Sequence, residues 1–591
     1  MDFQAHENPL LLDCTAKASG TAGQGGILQT VQYKNRLLYS KYDPMRAVLS
    51  LLQKNTPIDS ASLILICSPC LCYGLTELFA AADAKADIIA IEADEALCAI
   101  ARERLAAADR EGRVALFSGS DLADLDAHLR RLAATGTYRR VLRLDFSAGT
   151  ALAPAFYAQV AAAAQEIIAF FWKNQITLVR MGRMYAKNIF QNLPRLSRSL
   201  QLFQLLRSVS RPILVCGAGE SLDKTSIPDK GCCIIAVDAA LPALLRRGIR
   251  PDAVVSLESQ LFIQKAYIGA AAALSASPPL LFADITSRPS VPRSFPNRTV
   301  FFASRYAAVS YLDRLQEAGI VHDYTAPLGS VGLAAVAIAL RLRTDESIPV
   351  FVTGLDFSYS AGRTHASGVP HDIQRHIAAS RLSPAENYGA AFGPNAHPVH
   401  SKDGSTMISI TSMTGYAESF RSLFPGQQNL FDIGQTGLDL ALPRAENALL
   451  LEAAEKAAGK VATAVKALTD KAEAAESAAA EGSRTITAPE SAVPQLDAQV
   501  SAFLNGEKTA LLTLKDLLMH GEASGFRDTA VSLDAQLRAL LTGREYLYLH
   551  FPDGYRVSTG TAFLKRVRAE IDFFLKQLGL AERLLTEAER T

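Results

Sequence analysis

Residues 212–224, PILVCGAGESLDK, pass from an apolar stretch into Gly217 and Gly219 and then into polar residues typical of a helix start. Glycines permit a tight turn and leave backbone N–H groups accessible. At a helix start, such N–H groups and the helix dipole favour a bound anion. The Ser221 hydroxyl can cap the helix or donate to a phosphate oxygen. The spacing therefore predicts a phosphate-binding turn, although a strand-to-helix turn without a ligand has the same spacing.

The next apolar segment, CCIIAVDA, ends with Asp238. An acid at the end of the second strand of a nucleotide-binding unit usually bonds a ribose hydroxyl. Together with Gly217 and Gly219 it predicts a nucleotide site, and the alternative is a strand-end aspartate held in an ion pair. Leu222 stands where the third glycine of the dinucleotide fingerprint falls, so the pattern does not favour NAD.

Two later segments place polar groups at the ends of predicted elements. PLGSVGLAAVAIAL puts Ser330 and Gly332 at the start of an alanine-rich helix, which adds a second set of helix-start amides. VFVTGLDF ends at Gly354 and Asp356 and leads into a polar loop with His365. Histidine exchanges protons near neutral pH, and Asp356 can orient it or a sugar hydroxyl. A helix cap and an ordinary polar loop are the alternatives.

Two further residues are candidates for the same edge of the sheet. Glu258 ends the predicted strand DAVVSLE, and His400 lies in the turn-like segment HPVHSKDGST. A loop histidine is more often solvated than catalytic. Because the carboxyl ends of parallel strands meet at one edge, we expect the strand-end candidates to converge there.

Composition and cysteine usage limit the possible functions. A formal net charge of +1 provides no field for attracting a polyanion, so nucleic acid is not an expected partner. No segment is typical of a cleaved leader or a membrane span, so we expect a cytoplasmic protein without a membrane partner. All eight cysteines precede residue 234, mostly in apolar segments. CSPCLC (67–72) lacks a second ligand pair, which predicts buried thiols and no metal requirement.

Alternating strand-like and helix-like segments predict an α/β fold: two Rossmann-like parallel-sheet domains in tandem, followed by an α-helical C-terminal domain. The predicted boundaries are 1–154 for the first domain, 155–210 for a helical connector, 211–442 for the central domain and 443–591 for the helical domain. Residues 1 to about 30 are polar and glycine-rich, which indicates a loose arm or an edge strand.

The first domain resembles a methyltransferase core, in which an acid ending the second strand binds a cofactor ribose. Glu92 takes that place in DIIAIEAD. Only Gly74 stands in the preceding turn, CLCYGLTE, so a close approach of the backbone to a ligand is not favoured. We therefore expect a structural or docking domain, with a bound cofactor as the alternative.

Taken together, the motifs resemble the motility-associated factor (Maf) glycosyltransferases, and the central domain is also similar to bacterial sialyltransferases and to an MptE-like 6-hydroxymethylpterin diphosphokinase. The resemblance rests on SKYDP, IIAIEAD, GAGESLD, AVDAALPALLRRGIRPDAVVSLE, GSVGLAAVAIAL and GLDFSYSAGRTHASG. It implies a transferase that moves a nonulosonic, sialic-acid-like sugar from a CMP donor to Ser or Thr of flagellin.

The same resemblance implies roles for the candidate residues. Gly217, Gly219 and Ser221 would hold the donor phosphate. Asp238 would contact the nucleoside, residues 330–332 would close the donor pocket and Asp356 would lie beside the sugar. The catalytic base is open between His365 and His400.

Two features depart from the family pattern. The family turn usually has Pro where this chain has Glu220. The tyrosines with which sialyltransferases hold the leaving phosphate have no clear counterparts after Asp356, and Tyr359 is only nearby.

Two other functions remain open from the sequence. A pyrophosphokinase acting on a hydroxymethylpterin needs carboxylates for a metal ion, and Asp238, Glu258 and Asp356 are available. A non-catalytic scaffold that binds flagellin, with a vestigial nucleotide site, needs no reactive group.

Overall fold

The computed structural model describes residues 8–17, 27–84, 86–135, 138–196, 198–270, 278–459, 493–523, 531–552 and 557–589. The chain forms two compact units. One comprises residues 1–182 and 548–557, and the other comprises residues 183–547 and 558–591. Among the described helices, none is both long and apolar enough to cross a membrane.

The first unit contains a parallel sheet with a helix after or before each strand. Its strands are β4 (Ser62–Cys67), β5 (Ile88–Glu92), β6 (Val114–Ser118) and β7 (Arg140–Asp145). They lie in the order β6-β5-β4-β7. The helices are Arg46–Asn55, Leu75–Ala81, Glu95–Ala108 and Leu122–Thr135. Every residue of β4 is buried, as expected for a continuous apolar strand covered on both faces.

The described part of the N-terminal segment forms strands, in agreement with the edge-strand alternative. Strands β1 (Leu10–Lys17), β2 (Ile27–Tyr33) and β3 (Arg36–Leu37) form an antiparallel sheet, with residues 18–26 outside the described part of the chain. A 43-residue helix, Pro154–Leu196, follows β7 and occupies most of the predicted connector.

The second unit contains a parallel sheet of nine strands. They are β8 (Leu200–Gln201), β9 (Ile213–Cys216), β10 (Cys233–Val237), β11 (Ala253–Ser256), β12 (Leu280–Asp284), β13 (Thr299–Ser304), β14 (Tyr324–Thr325), β15 (Val350–Thr353) and β18 (Leu430–Asp432). Their order is β14-β13-β12-β11-β10-β9-β15-β18, and β8 pairs with β13. The chain therefore moves outward from β9 to β14 and then returns to the other side of β9. Ligands of such sheets bind beside the carboxyl ends of strands where the order reverses, here between β9 and β15.

Helices and one hairpin complete the second unit. Within the sheet region the helices are Ser221–Lys224, Leu241–Arg246, Gln264–Ile268, Ser290–Arg293, Ser310–Glu317, Val331–Leu342, Pro370–Ala378 and Thr411–Leu423. The hairpin pairs β16 (Ala396–His400) with β17 (Thr406–Ile410). The C-terminal helices are 447–459, Val493–Ala523, Val531–Leu541 and Thr561–Glu589. The predicted fold class, two parallel-sheet regions followed by helices, is confirmed.

Buried aromatic side chains pack the C-terminal helices within the second unit. Tyr546 lies edge-on to Phe190, Tyr311 and Phe574, with ring centroids 4.9–5.1 Å apart. All four side chains are fully buried. Such pairs stabilise a core beyond the area that they bury.

Candidate functional site

The glycine turn after β9 lies directly against the end of β15. The Gly217 amide donates to the Thr353 carbonyl at 2.8 Å, and the Gly219 amide donates to the Gly354 carbonyl at 2.8 Å. A Cβ on Gly217 would overlap the Gly354 carbonyl. Gly354 itself has a φ of 69°, in the left-handed region that favours glycine. Main-chain contact between two strand ends thus accounts for the glycines at 217 and 354.

Asp356 occupies the start of the short helix that follows the turn. The Ser221 amide donates to Asp356 Oδ2 at 2.8 Å, and the Ser221 hydroxyl donates to Asp356 Oδ1. A Cβ on Gly219 would lie 2.6 Å from Asp356 Oδ2. The expectation that this turn leaves its amides bare is therefore wrong for Gly217, Gly219 and Ser221, which already bond within the chain. A carboxylate is attracted to the same place as a phosphate, since both are anions at a helix start.

Asp356 is almost completely shielded from solvent. Its side chain is 2% exposed, and burial raises its pKa to about 6. The hydrogen bonds from Ser221 and the nearby ammonium of Lys402 lower that pKa, while the Asp432 carboxylate raises it. Asp356 is consequently a buried anion that depends on its neighbours for compensation of its charge.

The helix start at Ser330 lies at the same switch point. A Cβ on Gly332 would lie 2.6 Å from Leu355 Cδ2, and a Cβ on Gly217 would lie 2.6 Å from the same atom. The Ser330 side chain makes no capping hydrogen bond to this twelve-residue helix, so the alternative of a Ser330 side-chain cap is not what the structure shows. The helix Val331–Leu342 therefore begins beside the switch point without a side-chain cap.

Asp238 and Glu258 lie at the same edge of the sheet, where they follow β10 and β11. Asp238 accepts hydrogen bonds from the Ala239 amide at 2.7 Å and from the Ser256 hydroxyl at 3.3 Å. Burial, with a smaller effect of the Glu258 carboxylate, raises the pKa of Asp238 to about 7. Glu258 is half-buried and accepts from the Gln260 amide at 2.8 Å. Asp238 is thus below the surface of the edge, whereas Glu258 is partly accessible.

The two candidate bases differ in exposure and in contacts. His365 is half-buried, and its Nδ1 lies 2.9 Å from the Thr364 hydroxyl. Burial, followed by the nearby His371, lowers its pKa. The adjacent Ala366 amide donates to the Ala218 carbonyl at 2.9 Å, which fixes this loop on the glycine turn. His400, the last residue of β16, is exposed.

The loop carrying His365 is fastened to the glycine turn by carboxylates as well. Glu220 accepts hydrogen bonds from the Ser360 amide at 2.5 Å and from the Ser360 hydroxyl at 2.7 Å. Asp223 accepts from the Ser367 amide at 2.9 Å and pairs with Arg363. Glu220, the residue that departs from the family pattern, therefore bonds to this loop through both of its carboxylate oxygens.

Sequence reasoning missed two buried charged residues near Asp356. Lys402 Nζ lies 2.5 Å from Asp432 Oδ2, and the two side chains are 3% and 4% exposed. Lys402 belongs to the segment HPVHSKDGST, in which His400 is the predicted site residue. An isolated lysine in a turn-like segment has no pattern that distinguishes it from a solvated one, so no signal in the sequence identifies the pair.

In the first unit, Glu92 is closed off by its own neighbours. It is fully buried and accepts hydrogen bonds from the Tyr157 hydroxyl at 2.6 Å and from the Ser68 hydroxyl at 3.0 Å. Ser68 also bonds Ser147 at 2.8 Å. These groups take the carboxylate oxygens that a ribose would otherwise meet, in keeping with a structural domain.

Replacing Glu92 by glutamine is expected to flatten the pH dependence of stability. Burial raises the pKa of Glu92 to about 7, so the folded chain binds a proton that the unfolded chain releases above about pH 4.5. The stability that this group contributes is therefore full below about pH 4.5 and falls by about 3 kcal/mol as the pH rises to 7. Glutamine keeps the shape of the side chain and one accepting oxygen, its amide nitrogen can donate to the other hydroxyl, and it does not titrate.

The measurement is the difference in thermal midpoint between wild type and Glu92→Gln at pH 5 and at pH 8. The midpoint of wild type minus that of Glu92→Gln should be larger at pH 5 than at pH 8. Glu111→Gln, at an exposed position, is the control. An equal difference at both pH values would contradict a protonated Glu92.

The cysteines are buried thiols, as predicted. All eight are free and buried, and burial raises the pKa of Cys67 and Cys72 to about 12. Within the described ranges, no group of three or more His, Cys, Asp or Glu side chains is arranged to hold a metal ion.

Comparisons with known proteins agree with this architecture. Residues 187–362 match the family model described as 6-hydroxymethylpterin diphosphokinase MptE-like. An uncharacterized protein of Treponema pallidum (strain Nichols) is 32% identical in an alignment of 568 residues that covers 93% of this chain and 93% of that protein. The solved structure of the Maf glycosyltransferase from Magnetospirillum magneticum covers 97% of this chain and 93% of its own, with a TM-score of 0.59 at 13% identity. The chain therefore belongs to one family with the Treponema pallidum protein and combines the fold of the Maf glycosyltransferase with an MptE-like central domain.

Proposed function

We propose that this chain is a glycosyltransferase that moves a nonulosonic sugar from a CMP donor to a Ser or Thr hydroxyl of flagellin, in the cytoplasm. The fold of the Maf glycosyltransferase and the motifs that resemble its family support the reaction class. The observation that carries the proposal is the convergence of Gly217, Gly332 and Gly354 around Leu355, at the point where strand order reverses. This is where parallel α/β sheets bind nucleotides.

Within that site, we assign the donor phosphate to the helix start at 330–332. The Ser221 amide is already bonded to Asp356, and a phosphate beside that buried carboxylate would meet like charge. The Ser330 helix has twelve residues and no side-chain cap, so its dipole and first-turn amides suit an anion. Gly217, Gly219 and Ser221 then shape the wall of the pocket, with Asp238 and Glu258 toward the nucleoside.

The proposed reaction is a displacement at the anomeric carbon. The acceptor hydroxyl forms the new C–O bond, its proton passes to a base, and CMP leaves with the electron pair of the broken bond. His365 suits the base because its lowered pKa keeps the imidazole neutral near pH 7. Amides at the Ser330 helix start would stabilise charge on the departing phosphate. His400 remains the alternative base.

The direct test is the intact mass of flagellin from cells with and without this gene. The proposal expects loss of the sugar mass from flagellin when the gene is deleted and its return when the gene is restored. An unchanged flagellin mass would refute the assigned acceptor.

A pyrophosphokinase is the second candidate, and the MptE-like match over residues 187–362 favours it. Thermal unfolding with ligands separates the two functions, since a ligand bound only by the folded chain stabilises it by about 2.7 kcal/mol at a hundred times its Kd. We expect CMP to raise the unfolding midpoint and ATP with Mg²⁺ to leave it unchanged. The reverse result would favour the pyrophosphokinase, with UMP as the control for base selectivity.

A further inference from the structure

A buried group of four polar side chains lies beside the switch point, formed by Ser221, Asp356, Lys402 and Asp432; we call it the polar cluster. Each of these side chains is less than 5% exposed. Two of its members lie beyond residue 362, where the MptE-like match ends. Neither Lys402 nor Asp432 has a role in the reaction described above.

The cluster converges on the backbone of Gly434. A Cβ at this glycine would lie 3.0 Å from Lys402 Nζ, 3.0 Å from Ser221 Oγ and 3.1 Å from Asp432 Oδ1. The Gly434 amide donates to Asp432 Oδ1 at 2.9 Å. Lys402 Nζ, which pairs with Asp432, and the serine hydroxyl that bonds Asp356 therefore both lie next to Gly434.

Hydrogen bonds donated by main-chain amides hold the same segments together. The Lys402 amide donates to the Gly437 carbonyl at 2.9 Å, and the Gly437 amide donates to Ser401 Oγ at 3.0 Å. The Leu438 amide donates to the Asp356 carbonyl at 2.8 Å. Residues 434–438 thus fix the lysine and Asp356 relative to each other.

The charges in the cluster are linked. Two carboxylates and one ammonium are out of water, and the ammonium favours the ionised form of Asp356. Removing one member of a buried pair leaves a lone charge and is costly, whereas replacing both by uncharged groups is often neutral for stability. A buried ion pair is therefore weak evidence that the pair stabilises the fold. The pair can instead fix one arrangement of the residues that it contacts.

We propose that Lys402 and Asp432 are positioning residues for sugar transfer, which hold Asp356 against Ser221 and thereby keep the glycine turn in the shape that the donor meets. The inference rests on the proposed function for its catalytic part. Its structural part, control of the turn by the pair, is testable without any substrate.

The decisive variant is the double substitution Lys402→Met and Asp432→Asn, because it removes the ion pair as a unit and leaves the net charge of the cluster unchanged, with Asp356 still bonded to Ser221. We expect it to fold, with KM for the CMP-sugar raised at least tenfold and a smaller change in kcat. Hydrogen exchange of the 217–224 peptide should quicken at least tenfold, while the peptide spanning β10 and β11 stays as in wild type. The single variant Lys402→Met should raise KM and the exchange rate further than the double variant does. Lys230→Met, at an exposed site, is the control.

Gly434→Ala provides a second test that keeps every charge. Its methyl group would lie between Lys402 and Ser221, so the same exchange and KM changes are expected. Wild-type exchange at 217–224 and an unchanged KM in both folded variants would overturn the proposal. If wild-type protein itself transfers no sugar, the proposed function fails, while the exchange comparison still decides whether the pair controls the turn.

Discussion

Replacing Asp356 by alanine is expected to abolish sugar transfer, with a loss of at least 100-fold and no sugar mass on flagellin. The alanine leaves the Ser221 amide and hydroxyl without their acceptor in a site that excludes water, at a cost of about 1–3 kcal/mol. It also removes the carboxylate that holds the glycine turn in place. The measurement is the intact mass of flagellin from cells that carry the variant.

Two further variants make this result specific. Asp356→Asn keeps an oxygen for the Ser221 amide and should retain part of the activity, together with a normal unfolding midpoint. Asp345→Ala, just before β15 at the opposite end of the strand, removes an exposed carboxylate and should transfer sugar as wild type does. If folded Asp356→Ala still supports a normal flagellin mass, the chain is a scaffold and not the transferase.

Gly217→Ala is the substitution expected to have the largest effect on folding. The new methyl group would overlap the carbonyl of Gly354, and a main-chain atom at the end of a buried strand cannot move aside as a flexible side chain can. Overpacking of this kind costs about 1–3 kcal/mol or more. We expect a clearly lowered unfolding midpoint and loss of transfer, because both strand ends belong to the site.

Gly415→Ala is the matched control, because the sign of the effect should reverse. Gly415 lies inside the helix Thr411–Leu423, and a Cβ there meets no atom within 4 Å. Alanine in a helix interior is favoured over glycine by about 0.5–1 kcal/mol. Equal midpoints for the two variants would show that the contact between Gly217 and Gly354 is not a constraint.

Several features of the site were predictable from local pattern. Continuous apolar runs identified β9, β10 and β15 because a strand buried on both faces needs them. Each run ends in glycine or in an acid, and parallel strands place such ends at one edge. The position of Gly217, Asp238 and Asp356 along one edge therefore followed from short stretches of sequence.

The partner of each group was not predictable in the same way. Ser221 and Asp356 are 135 residues apart, and Lys402 and Asp432 are 30 residues apart. Glu92 likewise bonds Tyr157, 65 residues later. Whether an acid at a strand end stays open or is closed by such a partner depends on packing between segments that are distant in the chain.

The amino-acid sequence by itself determined the alternation of strands and helices, and with it the edge at which polar groups gather, because hydrophobic periodicity acts over a few residues. Only the tertiary structure decided that a carboxylate of the chain occupies the glycine turn and that a buried lysine and aspartate adjoin it. Those contacts depend on strand order and on which side chains exclude water from one another, and these are properties of the packed chain.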